Sequence, residues 1–317
     1  SYLLTGTMLL SCAAPAYAAE DTKTAEMTET VETAENVGNA DGAESTKAAD
    51  EDITILYTND VHTYIDNAVS DETALTYSKI AALKDSFEDA LLVDAGDHIQ
   101  GTAYGQMDDG MTIIKLMNAA DYDAATLGNH EFDYGMDGCM AAMETAEFPY
   151  TSSNFYDKTT GKPVADTYTM LEAGGKQIAF VGITTPKTFT SSTPTYFQDK
   201  NGTFIYDFHG EDLYAVVQTA IDEAEEAGAD YVIGLGHLGT DLSDTPWTST
   251  EVIKNTDGFD AFIDGHSHTE LEMETVTDKS GDAVILTQTG SYLNAVGKMT
   301  LSVDGITAEL LTGEDLT

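Results

Sequence analysis

Ile53-Thr54-Ile55-Leu56-Tyr57-Thr58-Asn59-Asp60-Val61-His62 begins as a short, mostly apolar strand candidate and ends in asparagine, aspartate and histidine. The same change recurs four times. Ala90-Leu91-Leu92-Val93 leads into Gly96-Asp97-His98, and Ala124-Ala125-Thr126-Leu127 into Gly128-Asn129-His130-Glu131. Tyr231-Val232-Ile233-Gly234-Leu235 leads into Gly236-His237, and Phe259-Asp260-Ala261-Phe262-Ile263 into Gly265-His266-Ser267-His268. Helical spacing fills the intervals: Ile80, Leu83 and Phe87 share one face, as do Ile113, Ile114 and Met117. Leu213, Val216, Val217, Ala220, Ile221 and Ala224 mark a longer helix that stops at Gly228. Residues 177–183 and 283–286 are further strand candidates. Strands alternating with helices build a layered α/β fold around a buried sheet. Ligands of such sheets bind at the carboxyl ends of the strands, which is where the polar strings fall.

The chain has 317 residues, 42% of them hydrophobic, enough for one large globular domain or two small ones. Its 56 acidic against 13 basic residues give a formal charge of -43. That balance repels phosphate backbones and anionic membranes, so no nucleic-acid partner is expected, and it suggests a highly solvated extracytoplasmic protein. All thirteen basic residues are lysines. Without the bidentate guanidinium fork, any anion must be held by metal, histidine, amide or lysine.

Residues 1–18 carry a short apolar run followed by Ala16-Tyr17-Ala18, the pattern at the end of a secretion signal. A competing reading makes Leu9-Leu10-Ser11-Cys12 a lipobox with Cys12 acylated, although Leu10 is atypical there. Residues 19–52 are rich in Thr, Ala and Glu and lack aromatics, which makes an acidic disordered linker. The fold is expected to begin at Ile53, with no transmembrane segment and a secreted, cell-surface or periplasmic location. Removal of Cys12 with the leader would leave Cys139 alone, excluding an internal disulfide or a cysteine zinc site.

Asp60 and His62 are two residues apart, so at an extended strand mouth both side chains leave on the same side and can bind one cation. Asp97 can bridge two cations with its two oxygens. Asn129 offers a carbonyl oxygen, and His237, His266 and His268 offer imidazoles. Seven donors exceed one tetrahedral zinc and suit two divalent metal ions that share a carboxylate. Two ions about 3.5–4 Å apart stabilise both ends of a phosphate-ester displacement and lower the pKa of water towards about 7. An oxygen and imidazole set accepts Zn, Mn, Fe, Co, Ni or Mg.

Taken in order, Asn59-Asp60-Val61-His62, Gly96-Asp97-His98-Ile99-Gln100-Gly101-Thr102, Gly128-Asn129-His130-Glu131-Phe132-Asp133, Gly236-His237 and Gly265-His266-Ser267-His268-Thr269 resemble the motifs of the 5'-nucleotidase family of calcineurin-like metallophosphoesterases. The resemblance runs from about Ile53 to the end of the sequence. It implies a four-layer α/β/β/α metallophosphoesterase sandwich. It also implies that Asp60, His62, Asp97 and His268 surround one metal, and Asp97, Asn129, His237 and His266 the other. His130, paired with Asp133, is implied to contact the phosphate and stabilise the transition state. A carboxylate three residues on can fix the tautomer of His130 and favour its cationic form. Aspartate rather than asparagine at 133 favours the 5'-nucleotidase branch. The sequence is expected to hold the catalytic domain, residues 53–317, without the family's C-terminal substrate domain.

The activity expected from the resemblance is hydrolysis of nucleoside 5'-monophosphates to nucleoside and phosphate. The neighbouring alternatives are 2',3'-cyclic-nucleotide phosphodiesterase with 3'-nucleotidase activity, UDP-sugar hydrolase, or thiosulfate-ester hydrolysis on the same centre. A reading of another class is a non-catalytic surface module that binds metal or nucleotide. His98 and His209 lie outside the ligand pattern and read as structural, His98 as a neighbour of the centre. Gln100, Gly101 and Thr102 read as loop packing, Tyr292 and Asn294 as plain loop, and Lys298 as a solvated face. Glu131 is left without a role, and Cys139 reads as a small buried hydrophobe.

Overall fold

The computed structural model describes residues 52–65, 67 and 71–316. The leader and linker readings lie outside the described residues, Asp52 excepted. Two six-stranded sheets carry the molecule. The first has the order β15 (Gly305–Leu311), β14 (Val296–Ser302), β1 (Ile53–Thr58), β2 (Leu91–Asp94), β3 (Ala124–Thr126), β4 (Tyr150–Thr151). Strands β1 to β4 run parallel, and β14 lies antiparallel on β1. The second has the order β12 (Glu270–Thr277), β13 (Ala283–Thr289), β11 (Ala261–Ile263), β10 (Tyr231–His237), β8 (Lys176–Thr184), β7 (Tyr168–Ala173). Its inner four strands are parallel, with β12 and β7 antiparallel at the edges. A small third sheet joins β6 (Lys162–Pro163), β5 (Tyr156–Asp157) and β9 (Tyr206–Asp207).

Each inner strand is apolar on both faces because each face meets a different layer. Ile53, Ile55 and Tyr57 of β1, with Leu91 and Val93 of β2, point between the sheets at Ile178, Phe180, Ile233 and Leu235. The alternate residues Leu56 and Leu92 point outward to the helices Tyr77–Lys84, Met111–Ala119 and Gly135–Thr145, through Ile80, Ile113, Met117 and Cys139. On the second sheet Ala179, Val181 and Val232 face the helices Leu213–Glu226 and Ser249–Asn255. The order of layers is therefore helix, sheet, sheet, helix. Tyr57 crosses the middle layer to reach Thr287 Oγ1 on β13, 2.5 Å from its hydroxyl.

Local signals set the helix limits. Thr76 Oγ1 accepts from the Lys79 amide, and Gly228, at φ +97°, follows the end of the long helix. Phe87 departs from the expected pattern: the first helix ends at Lys84, and the Phe87 ring instead lies under the Lys298 ammonium. Lys298 also pairs with Glu309 at 2.7 Å, so it is anchored on the strand hairpin.

Candidate metal centre

All five polar strings sit at the carboxyl ends of parallel strands: three leave β1, β2 and β3 of the first sheet, and two belong to β10 and β11 of the second. The backbone there corrects the expectation of an extended mouth. Asp60 and His62 both have φ 49°, Asp97 has 61°, His266 79° and His268 54°. Non-glycine residues rarely adopt this left-handed region, at a cost on the order of 1–3 kcal/mol each. Hydrogen bonds between loops hold it: the amides of Asp60, His62 and Thr63 donate to the carbonyls of Gly96, Asp97 and His98 at 2.9, 3.0 and 3.2 Å. An extended segment would have carried Asp60 and His62 away from Asp97; the left-handed turn lays one loop along the other. Space in these loops is tight enough to require glycine at several positions, Gly128 and Gly101 most sharply. A Cβ on Gly128 would stand 2.2 Å from Asp97 Oδ1, and one on Gly101 2.1 Å from the His62 carbonyl oxygen.

Two groups of side chains result, Asp60 with His62 and His268, and Asp97 with His237 and His266; in each the donor atoms lie within 4.8 Å of one another. Asp97 Oδ2 faces both, 3.0 Å from His237 Nε2 and 3.9 Å from His62 Nε2. In the first group Asp60 Oδ1 is 3.3 Å from His268 Nε2, and the Nε2 atoms of His62 and His268 are 3.1 Å apart. Asn129 lines the same cavity of about 480 Å³ as His62, Asp97, His130, His266 and His268. His130 and Asp133 also meet, Nδ1 to Oδ2, at 2.6 Å.

The chemistry of these atoms fits divalent cations. Asp60 Oδ1, Asn129 Oδ1 and His237 Nε2 are buried without a hydrogen-bond partner, a costly condition that a cation would relieve. Nδ1 of His237 donates to the Ala95 carbonyl at 2.7 Å, and Nδ1 of His62 to that of Gln100 at 2.9 Å. Each bond fixes the tautomer that leaves Nε2 as the free donor. The charges of the cluster depend on one another. Burial pushes the Asp97 carboxyl up, but His237, His130 and His62 hold it well below the usual range. Burial opposes a charged His237, yet Asp97 and Asp60 raise it to about 10. Burial and the neighbouring His237 push His266 down to about 4.

Glu131, left without a role by the sequence, braces the centre. Fully buried, it accepts from the amides of Asp97, His98 and Gly128 at 2.8, 2.9 and 2.7 Å. No local pattern reveals this, because its partners come from two loops. Asn59 does the same between sheets: its amide donates to Asp60 Oδ2 at 2.7 Å, and its oxygen accepts from Thr289 N at 2.8 Å. Gln100 does more than pack, since its carbonyl orients His62. Tyr292 is not plain loop; its ring lines the cavity, 5.3 Å from that of His268 and 4.5 Å from that of Tyr64. Asn294 lies outside this cavity and lines another with Leu75 and Thr312. His98 is buried between Asp94, at 2.8 Å, and the Tyr150 hydroxyl, at 2.6 Å. His209 pairs with Asp212 away from the centre. Cys139 is buried, and burial pushes its thiol up.

Burial works against the charged form of His130, but the bond to Asp133 and the nearby Asp97 raise it to about 9. Its ring is 30% exposed, so a protonated imidazole faces the cavity beside the first group.

The sequence pattern of the calcineurin-like phosphoesterase family matches residues 53–270. The chain is 30% identical to human 5'-nucleotidase and 28% identical to the rat enzyme, over 69% of its length and 38% of theirs. It is 28% identical to the trifunctional nucleotide phosphoesterase protein YfkN of Bacillus subtilis, over 80% of this chain and 18% of that one. The chain thus spans well under half of these relatives. Among solved structures, the 5'-nucleotidase precursor of Thermus thermophilus superposes with a TM-score of 0.68 at 24% identity, over 84% of this chain and 55% of that one. A calcineurin-like phosphoesterase structure of Bacillus subtilis YfkN gives 0.64 at 24%, over 83% and 91%. At these identities the superpositions speak for the fold.

Proposed function

The chain belongs to the calcineurin-like phosphoesterase family, and on that premise we propose that it hydrolyses nucleoside 5'-monophosphates at a centre of two divalent ions. The observation that carries the reading is Asp97 Oδ2, which faces both groups of donors next to the His130 and Asp133 pair. Asp60, His62, Asp97 and His268 would hold one ion, and Asp97, Asn129, His237 and His266 the other. Bound there, the ions supply Lewis-acid stabilisation of phosphoryl oxygens and an activated water. The protein's own groups do the rest. Asp133 fixes Nδ1 of His130 and keeps the ring charged, so its Nε2 hydrogen is available for donation to the developing charge on phosphate or leaving oxygen. Water adds to phosphorus, the bond to the leaving oxygen breaks, and that oxygen takes up a proton.

The nucleotide substrate is taken from what the relatives are named for. Residues 53–317 are read as the catalytic unit. A secreted or surface location rests on the leader-like residues 1–18 and the charge of -43. Among the described residues, no helix is long and apolar enough to cross a membrane.

The test is release of inorganic phosphate from AMP by manganese- or zinc-loaded protein. Activity is expected to vanish with chelator and in Asp97→Ala; activity retained in either arm overturns the mechanism. Faster turnover of 2',3'-cyclic AMP or UDP-glucose would move the substrate to that alternative, which the name of the trifunctional relative keeps in view.

A further inference from the structure

A chain without arginine has few ways to grip an anion, and among the described residues Lys187 is the only lysine that lines the cavity of His62, Asp97, His266 and His268. It precedes the short helix Thr188–Ser191, which follows β8. Its ammonium pairs at 2.5 Å with Oδ1 of Asp244, whose other oxygen lies 3.5 Å from His266 Nε2. The lysine side chain is 37% exposed and the aspartate 8%. At the other end of the same segment, Ser192 Oγ donates to Asp133 Oδ1 at 3.3 Å. Residues 187–192 thus span the cavity from the His266 side to the His130 and Asp133 pair.

We propose that Lys187 is an anion clamp, which leaves Asp244 to bind a phosphoryl oxygen of the substrate or of product phosphate. The proposal rests on the phosphoesterase reading for its ligand. Three features of the site support it. An ammonium carries three donors, and Asp244 engages one oxygen, so capacity remains on the cavity side. The lysine end is partly exposed and so can reach a more highly charged phosphate, while Asp244, itself buried, keeps His266 Nε2 at 3.5 Å. Lysine binds phosphate as a point charge and needs no planar geometry, which suits a flexible stem reaching in from one wall.

A structural role is the competing explanation, in which Lys187 merely holds Asp244 and, through it, His266. The two roles predict different signs. In the metal-loaded protein at constant ionic strength, the clamp predicts that Lys187→Met raises both KM for AMP and the inhibition constant for inorganic phosphate, roughly tenfold. Asp244→Asn, which frees the ammonium, should lower both, and Lys187→Arg should stay within a few-fold of wild type. Shifts in the same direction in Lys187→Met and Asp244→Asn, or an unchanged phosphate constant in Lys187→Met, overturn the clamp. Calorimetric titration of phosphate into the loaded proteins reads the same contrast without turnover. Failure to hydrolyse any ester would therefore count against the phosphoesterase reading alone, and an absent calorimetric contrast against the clamp alone.

Discussion

The two sheets meet at one edge of the sandwich and deliver different chemistry to it. Strand ends of the first sheet bring the oxygens, from Asp60, Asp97 and Asn129, together with His62 and His130. Strand ends of the second bring His237, His266 and His268, imidazoles only. Bracing differs as well. On the first sheet Glu131 ties the loops after β2 and β3 together. On the second, Asp264 receives the Leu238 amide at 3.0 Å, and Gln288 Nε2 donates to the Gly265 carbonyl at 3.0 Å. The carboxylates of the two groups and the shared position thus lie on one sheet, while the other closes each group with imidazoles. The difference implies an asymmetry: loss of Asp97 should cost both ions, and loss of a single imidazole of the second sheet only one.

The sharpest way to break that asymmetry is to count ions. Asp97→Ala should fall from two bound equivalents to nearly none, with turnover down on the order of 10³-fold or more. His237→Ala should keep one equivalent. Elemental analysis of dialysed proteins reads both, and one full equivalent in Asp97→Ala would end the idea of a shared carboxylate. A smaller effect is expected behind the ligands. Glu131→Gln keeps the shape but weakens acceptance from three amides, and should lower metal affinity about 10- to 100-fold, as a competing chelator would show. An unchanged affinity would mean that the left-handed loops hold themselves.

The smallest effect concerns pH. Burial disfavours a charged His98, and Glu131 and Asp94 overcome it, raising the ring to about 9. An unfolded imidazole titrates near about 6.5, so the folded pKa is the higher one. The stabilisation is complete below the unfolded value and is lost as pH rises through about 9. The urea midpoint should therefore fall between pH 7 and pH 10, and fall less in His98→Gln. Parallel curves for the two proteins would assign the loss elsewhere.

Local features were legible in the sequence, and those depending on distant partners were not. Each polar string follows its own strand, so the residues now found in two groups could be read directly. The α/β alternation was equally plain, although the two-sheet arrangement came through family resemblance rather than from periodicity. Ile53 and Leu56 look alike in sequence; only the second sheet distinguishes the inner face from the outer. Glu131 contacts amides 33 and 34 residues away, and Lys187 meets Asp244 across 57. No local spacing encodes such pairings. The left-handed backbone at Asp60 and His62 is hidden from the sequence for the same reason, since it is imposed by the neighbouring loop. Phe87 fits the helical spacing yet lies beyond the helix end, because spacing alone does not reveal where a helix unwinds.

The apolar layer between the sheets acquires a second meaning once each donor group draws on both. Sliding one sheet over the other by a fraction of an ångström would alter the gap between Asp97 and His237, and hence the spacing of whatever the groups hold. Phe180, Ile233 and the Tyr57 to Thr287 link serve as the ruler of the centre. Packing between the sheets thereby sets the distance over which a displacement reaction would have to fit.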